Sequence, residues 1–290
     1  MESILPQVDA LIQQGIAFVY SLAPLVAPTV VLCPPIVTES IATVATAISM
    51  DYETTAYVLG LFLAYPLGIL MNVVPNGSMK HLFSLFFGVG ILQAVLAIQW
   101  FHLFFVATVC YAVFIIMPTK VSLYIVPTFA MGYCVLGHLH RQYVNYMGWD
   151  LDFTGAMMIF TIKLWMIAHN IHDGHVLKTA KDEKNVPKAT MKCKAFSLDT
   201  VPNPLQFYGY LFNFSTILAG PAFEYKIYAN ACDGTIFKTP SGATKTPSNV
   251  MPTLYPLLQS IVCMVIYTQV SESEGEERAA ARNGRELPAR

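Results

Sequence analysis

Between Lys80 and Lys120 the chain runs for 39 residues, His81 to Thr119, without a charged side chain. A helix or strand that meets water keeps a polar face, so a run of this length and character belongs in hydrocarbon. Five further charge-free runs repeat the pattern: Ala10 to Thr38, Thr54 to Met79, Val121 to His140, Thr200 to Phe223 and Thr246 to Ser271. Crossing a bilayer core takes about 20 apolar residues in a helix. Most of these runs fit one helix, and His81 to Thr119 fits two, folded back near Gln99-Trp100-Phe101-His102, an amphipathic break suited to the membrane interface. Phe153 to Ile171, interrupted by Lys163, reads as a weaker helix. Ile36 to Met50 is short and carries Glu39. The expectation is eight or nine spans.

Backbone groups in lipid must be paired internally, which leaves helices or closed barrels. Barrel strands alternate apolar and polar residues, and Tyr57-Val58-Leu59-Gly60-Leu61-Phe62-Leu63-Ala64 does not. The expected fold is all-α, a polytopic transmembrane helical bundle. Composition agrees: 12% of the residues are charged, where a soluble domain carries about 25%. Such a chain cannot coat a water-soluble globule. Soluble enzymes, nucleic-acid binders and disordered proteins are excluded on this ground. The partner it implies is the lipid bilayer, with no nucleic acid. Residues 1–270 hold 26 charges, whereas 271–290 hold nine. The first stretch is therefore read as the membrane domain and the second as a charged, disordered tail.

No Lys or Arg precedes Lys80, although Glu2, Asp9, Glu39, Asp51 and Glu53 do. The hydrophilic stretch 173–199 carries Lys178, Lys181, Lys184, Lys188, Lys192 and Lys194. Positive-inside bias puts that basic loop in the cytosol. Counting spans backwards leaves Lys120 and Lys80 cytosolic and Asp51, Glu53 and the N-terminus opposite. The start of the chain has no basic region or small-residue cleavage site of a signal peptide. The sequons at Asn76 and Asn213 fall at a cytosolic edge and inside a span. The six cysteines form no C-x-x-C, and Cys33, Cys110, Cys134 and Cys263 read as small buried hydrophobes.

Polar groups at membrane depth are costly and tend to mark sites. They are densest from Gly137 to Gly174. Lys163 and Asn170 are seven apart, about two helical turns, so they share a face and either line a polar cavity or, for Lys163, pair with Asp150 or Asp152 to lock helices together. His169, His172 and His175 recur at steps of three, near the expected helix end at Asp173-Gly174. They lack a firm zinc pattern, and no metal is expected. The second stretch, Phe207 to Tyr225, reads as an aromatic helix carrying Asn213, Ser215 and Thr216 into the bilayer, broken by Gly220-Pro221. Its hydroxyls serve either a site or helix-to-helix bonding.

Asn213-Phe214-Ser215-Thr216-Ile217-Leu218-Ala219-Gly220-Pro221, with Phe223-Glu224-Tyr225, resembles a signature of the membrane-bound O-acyltransferases, in their lysophospholipid acyltransferase branch. His140-Arg141 through Gly155, then Lys163 and Asp173-Gly174, look like the segment that precedes it. The layout is similar from about Ser40 to Tyr225, and specific from about Gly137. The resemblance implies acyl transfer from acyl-CoA, a co-substrate in place of any cofactor, to the hydroxyl of a lysophospholipid, by a multi-pass protein of the endoplasmic reticulum. It also implies substrate-binding or cavity-lining positions at Lys163, Asn170, Asn213, Ser215, Thr216, Glu224 and Tyr225. Lys178 to Lys194 would draw the polyanionic CoA head from the cytosol, or else act as a topology determinant alone.

The family's histidine stands in a Trp-His-Gly context, as general base on the acceptor hydroxyl, with an asparagine in a Trp-Asn context assisting. Here Trp100, Trp149 and Trp165 are followed by Phe101, Asp150 and Met166, so no catalytic residue is assigned. The resemblance implies a C-terminally truncated member, inactive alone, with 271–290 foreign to the family. The alternative is a transporter or channel with a polar path through Lys163, Asp150 and the His169/His172 cluster; paired broken helices, expected of transporters, are not seen.

Overall fold

The computed structural model describes residues 10, 13–15, 17, 18, 21, 34–144, 146, 148, 151–180, 186–237, 251, 252, 254–263, 265 and 266. Every regular element among them is helical. Two units separate at residue 236. In the second, an apolar helix spans Leu254–Cys263. Among the described residues of the first are the α-helices α1 (Pro35–Ile48), α2 (Tyr52–Met71), α3 (Ser78–Leu96), α4 (Trp100–Ile116), α5 (Thr119–Val144), α6 (Phe153–Thr179), α7 (Lys188–Lys192), α8 (Pro204–Leu211) and α9 (Tyr225–Cys232). Tyr52–Met71, Ser78–Ile116 and Thr119–Val144 are long and apolar enough to cross a membrane.

Local chemistry sets the boundaries. Pro35 starts α1, where a missing N–H costs nothing, and Ser49 ends it in the left-handed region, the usual C-terminal stop. α3 stops at Leu96 because Ala97 takes φ 48°, ψ −125°, a conformation that cannot continue a helix. A 3₁₀ turn, Ala97–Gln99, leads into α4. Trp100 Nε1 donates to Gln93 Oε1 across it (2.5 Å). An unbroken helix would set Ser84 and Thr108 about 36 Å apart. Instead Ser84 Oγ donates to Gly209 O (3.0 Å) and Thr108 Oγ1 meets the neighbouring Tyr208 hydroxyl (2.9 Å). The two arms thus close on α8, and the break lies where the amphipathic residues predict it.

α5 and α6 form the tightest pair. Arg141 on α5 reaches Asp152 (3.4 Å) and Gly148 O (3.1 Å), while Asp152 caps α6 by accepting from Thr154 N (3.1 Å). α6 buries Met157, Phe160, Leu164, Ile167 and Ile171 among others and leaves one stripe exposed, at Met158, Ile162, Trp165 and His169; the stripe is mostly apolar, as expected of a helix without a polar face. It does not end at Asp173-Gly174 as the sequence suggests; it continues to Thr179. Gly174 serves close packing instead. A Cβ there would lie 1.8 Å from Leu198 O, and Leu198 N donates to Asn170 O (2.8 Å). The basic segment after residue 186 is pinned to α6 by this contact.

The largest departure concerns Thr200 to Phe223. Instead of a membrane-length helix it forms α8, eight residues long, followed by turns through Ala219. Eight residues of helix cover about 12 Å, well short of a crossing. α8 opens on a capping box between Asn203 and Gln206, with Pro204 in its first turn, so its start is as strongly encoded as its end.

Candidate functional site

The segment after α8 holds its shape through side chains rather than backbone ladders. Asn213 Oδ1 accepts from Ser215 N (2.9 Å) and Ser215 Oγ (2.7 Å), an Asx turn that competes with helix continuation. Gly220 lets the chain fold back, since a Cβ there would sit 2.4 Å from Thr216 Cα. Phe212 O presses on α3 at Gly88, where a Cβ would lie 1.6 Å from it. Phe212, Asn213, Phe214, Thr216 and Ile217 are buried. Irregular backbone at membrane depth is tolerated where protein surrounds it, and here it does.

Lys163 supplies the anchor. It is 0% exposed, and its ammonium donates to Tyr210 O (3.1 Å), Leu211 O (3.2 Å) and Thr216 Oγ1 (2.9 Å). All three donors of a lysine are thereby used. Two of the acceptors are last-turn carbonyls of α8, groups that a helix leaves without internal partners and whose dipole favours a cation. The rings of Tyr210 and Phe223 lie 5.3 and 5.7 Å from Nζ, within cation–π range. The ion-pair alternative with Asp152 is overturned: that carboxylate binds Arg141 and caps α6. Asp150 lies outside the described residues, among which no carboxylate pairs with Lys163.

Two turns further along the same face of α6, Asn170 Nδ2 donates to Glu224 Oε2 (2.6 Å). The shared face of Lys163 and Asn170 is therefore real, and both residues grip the signature segment, one near its middle and one at its exit. Tyr210 Oη donates to Phe223 O (2.6 Å), and the Tyr225 ring meets that of Tyr210 edge-on at 5.4 Å. Lys226 Nζ then donates to Ser197 O (3.2 Å). Of the expected residues, Lys163, Asn170, Asn213, Thr216 and Tyr225 are buried, Glu224 is half-buried, and Ser215 is exposed, its hydroxyl spent on the Asx turn. Sequence reasoning missed Tyr210, Gly88 and the pair His81–Tyr228 (Nδ1 to Oη 3.0 Å). Only Tyr208-Gly209-Tyr210, two aromatics around a small residue, hinted at close packing. Beyond the spans, burial pushes the Tyr228 hydroxyl up and the Cys232 thiol up to about 11.

The histidines are dispersed. His169 is exposed, stacks on Trp165 and meets its carbonyl at 3.0 Å, on a different face from Lys163. Among the described residues no three His, Cys, Asp or Glu side chains gather closely enough to hold a metal ion.

Comparison with known proteins places this geometry. The family model described as membrane-bound O-acyltransferase matches residues 101–275. Lysophospholipid acyltransferase 6 of Drosophila melanogaster is 28% identical over 203 residues, covering 66% of this chain and 27% of the relative. Lysophospholipid acyltransferase 1 of Arabidopsis thaliana is 25% identical over 230 residues, covering 78% of this chain and 47% of that one. Lysophospholipid acyltransferase of Saccharomyces cerevisiae is 24% identical over 245 residues, covering 78% and 38%. The chain thus spans less than half the length of these relatives.

Proposed function

Since this chain belongs to the membrane-bound O-acyltransferase family, we propose that it forms part of an enzyme that moves a fatty acyl group from acyl-CoA to a lysophospholipid in the endoplasmic reticulum membrane. The observation that carries this reading is the clamp of Lys163 on the segment Asn213 to Pro221, the stretch that resembles the family signature. A helix end and loop held inside the bundle by one cation have a fixed depth, which positioning of a reacting hydroxyl against a thioester requires. In the reaction the hydroxyl oxygen bonds to the acyl carbon, the carbon–sulfur bond breaks, and the hydroxyl proton passes by way of a general base to the departing thiolate.

No residue of this sequence stands in the Trp-His-Gly context of that base, so these 290 residues alone are proposed to be inactive. Lys163, Asn170, Asn213, Ser215, Thr216, Glu224 and Tyr225 support or line the acyl path within the helical bundle. The CoA head is drawn by Lys178, Lys188, Lys192 and Lys194. Lipid chains suit such a bundle because each buried methylene contributes about 0.8 kcal/mol.

The test uses membranes free of endogenous activity, containing the chain alone or together with the C-terminal part of the Drosophila relative. Labelled acyl-CoA and a set of lysophospholipids are supplied. Diacyl product from the pair, and none from the chain alone, is expected. Product from the chain alone overturns the missing-base claim; no product from the pair, with both parts folded, counts against acyl transfer.

A further inference from the structure

A cavity of about 310 Å³ opens at the end of the bundle that carries the α3–α4 turn. Its polar wall comes from Thr38, Tyr52, Glu53, Gln93 and Gln99. That volume is at the small end for a ligand site, sufficient for a polar head and too small for a whole lipid.

Hydrogen-bond accounting sets the polarity of this wall. Gln93 Oε1 accepts from Trp100 Nε1 (2.5 Å), and Gln99 Oε1 accepts from Phe153 N (3.2 Å). Indole and backbone N–H groups only donate, so each carboxamide is oriented with its oxygen committed to the protein. Neither amide nitrogen has a protein acceptor among the described residues, and neither is a buried orphan. The cavity therefore meets two uncharged NH₂ donors and one carboxylate, Glu53. Among the described residues no Lys, Arg or His lines it.

Neutral donors suit a singly charged anion, the carboxylate suits an ammonium, and the lack of any lining cation disfavours a multiply charged anion. We infer that the cavity is a site for a zwitterionic phosphodiester-amine head group, with the phosphodiester on Gln93 and Gln99 and the ammonium on Glu53. The head is borne either by the acceptor lysophospholipid, which rests on the function proposed above, or by a diacyl phospholipid of the bilayer.

The full chain, purified in a non-ionic detergent without added phospholipid, is titrated with lysophosphatidylethanolamine, lysophosphatidylglycerol and water-soluble glycerophosphoethanolamine, with native mass spectrometry as the readout. The wild type is expected to bind the ethanolamine lipid about three- to fivefold tighter than the glycerol lipid, the range of an accessible ion pair. Glu53→Gln is isosteric and at an exposed position; it should abolish that preference, and Glu53→Lys should invert it. Glycerophosphoethanolamine should compete. Displacement by diacyl phosphatidylethanolamine identifies the bilayer lipid as the source, and resistance to it identifies the acceptor; either supports the site. Equal binding of both lysolipids, or an unchanged preference in Glu53→Gln, overturns the site and leaves acyl transfer standing. Glycerophosphoethanolamine bound through Glu53 with no lysophospholipid bound overturns the acceptor reading and keeps the site. No binding of any probe overturns both.

Discussion

The amide of Asn170 donates to the carboxylate of Glu224 at 2.6 Å, joining α6 to the residue that leads into α9. The pair is a neutral donor on a charged acceptor, the stronger kind of hydrogen bond. Asn170→Asp sets two carboxylates against each other. Stability at neutral pH should fall by about 1–3 kcal/mol, and acidification that protonates one of the two should recover part of it. Unfolding midpoints in detergent across pH measure this. Adding Glu224→Gln should restore a donor–acceptor pair and most of the loss; a double variant no better than the single one refutes the pairing.

Lys163→Met keeps the volume and removes the charge. Two carbonyls and a hydroxyl then lose their donor in a buried place, at a cost of about 3 kcal/mol. Thr216→Val removes one of the three contacts and should cost about 1 kcal/mol. A Lys163→Met protein as stable as wild type in denaturant titration contradicts the clamp.

Two glycines separate packing from propensity. Gly88→Ala drives a methyl into Phe212 O, so the loop or α3 must shift and the protein should lose several degrees of thermal stability. Gly132→Ala, in α5 with open space around it, should be neutral or stabilise by up to about 1 kcal/mol. Equal effects of the two, in parallel melts, would show that the close approach at Gly88 is absent.

Thiol reactivity should divide by burial. Cys232 titrates near 11. A raised value means that the thiolate, the reactive form, is about a thousandth of the total at pH 8, and the fraction grows only as pH approaches 11. Iodoacetamide at pH 8 should label exposed Cys193 and spare buried Cys110, Cys134 and Cys232 until the protein unfolds. Peptide mass spectrometry reads each site; rapid native labelling of Cys232 would contradict its burial.

Much of the helix plan was legible because hydrocarbon leaves a compositional mark. Runs without charge found α2 through α5, and the polar cluster Gln99 to His102 located the reversal. The face shared by Lys163 and Asn170 followed from helical spacing alone. Thr200 to Phe223 misled for a physical reason: a segment buried in protein and one exposed to lipid both lack charge. What distinguishes them is where the backbone groups find partners, and that depends on Lys163, nearly 50 residues earlier. Gly174 misled similarly, since a glycine that ends a helix and one that admits Leu198 look alike in sequence.

The bond from Lys226 to Ser197 closes a circuit. The chain dips inward after Ser197, reaches the depth of Lys163, about 10 Å beyond Asn170 along α6, and returns to where it left. A stretch that hydropathy scores as a crossing therefore returns to the end of α6 from which it set out, and Lys226 comes to rest beside Ser197.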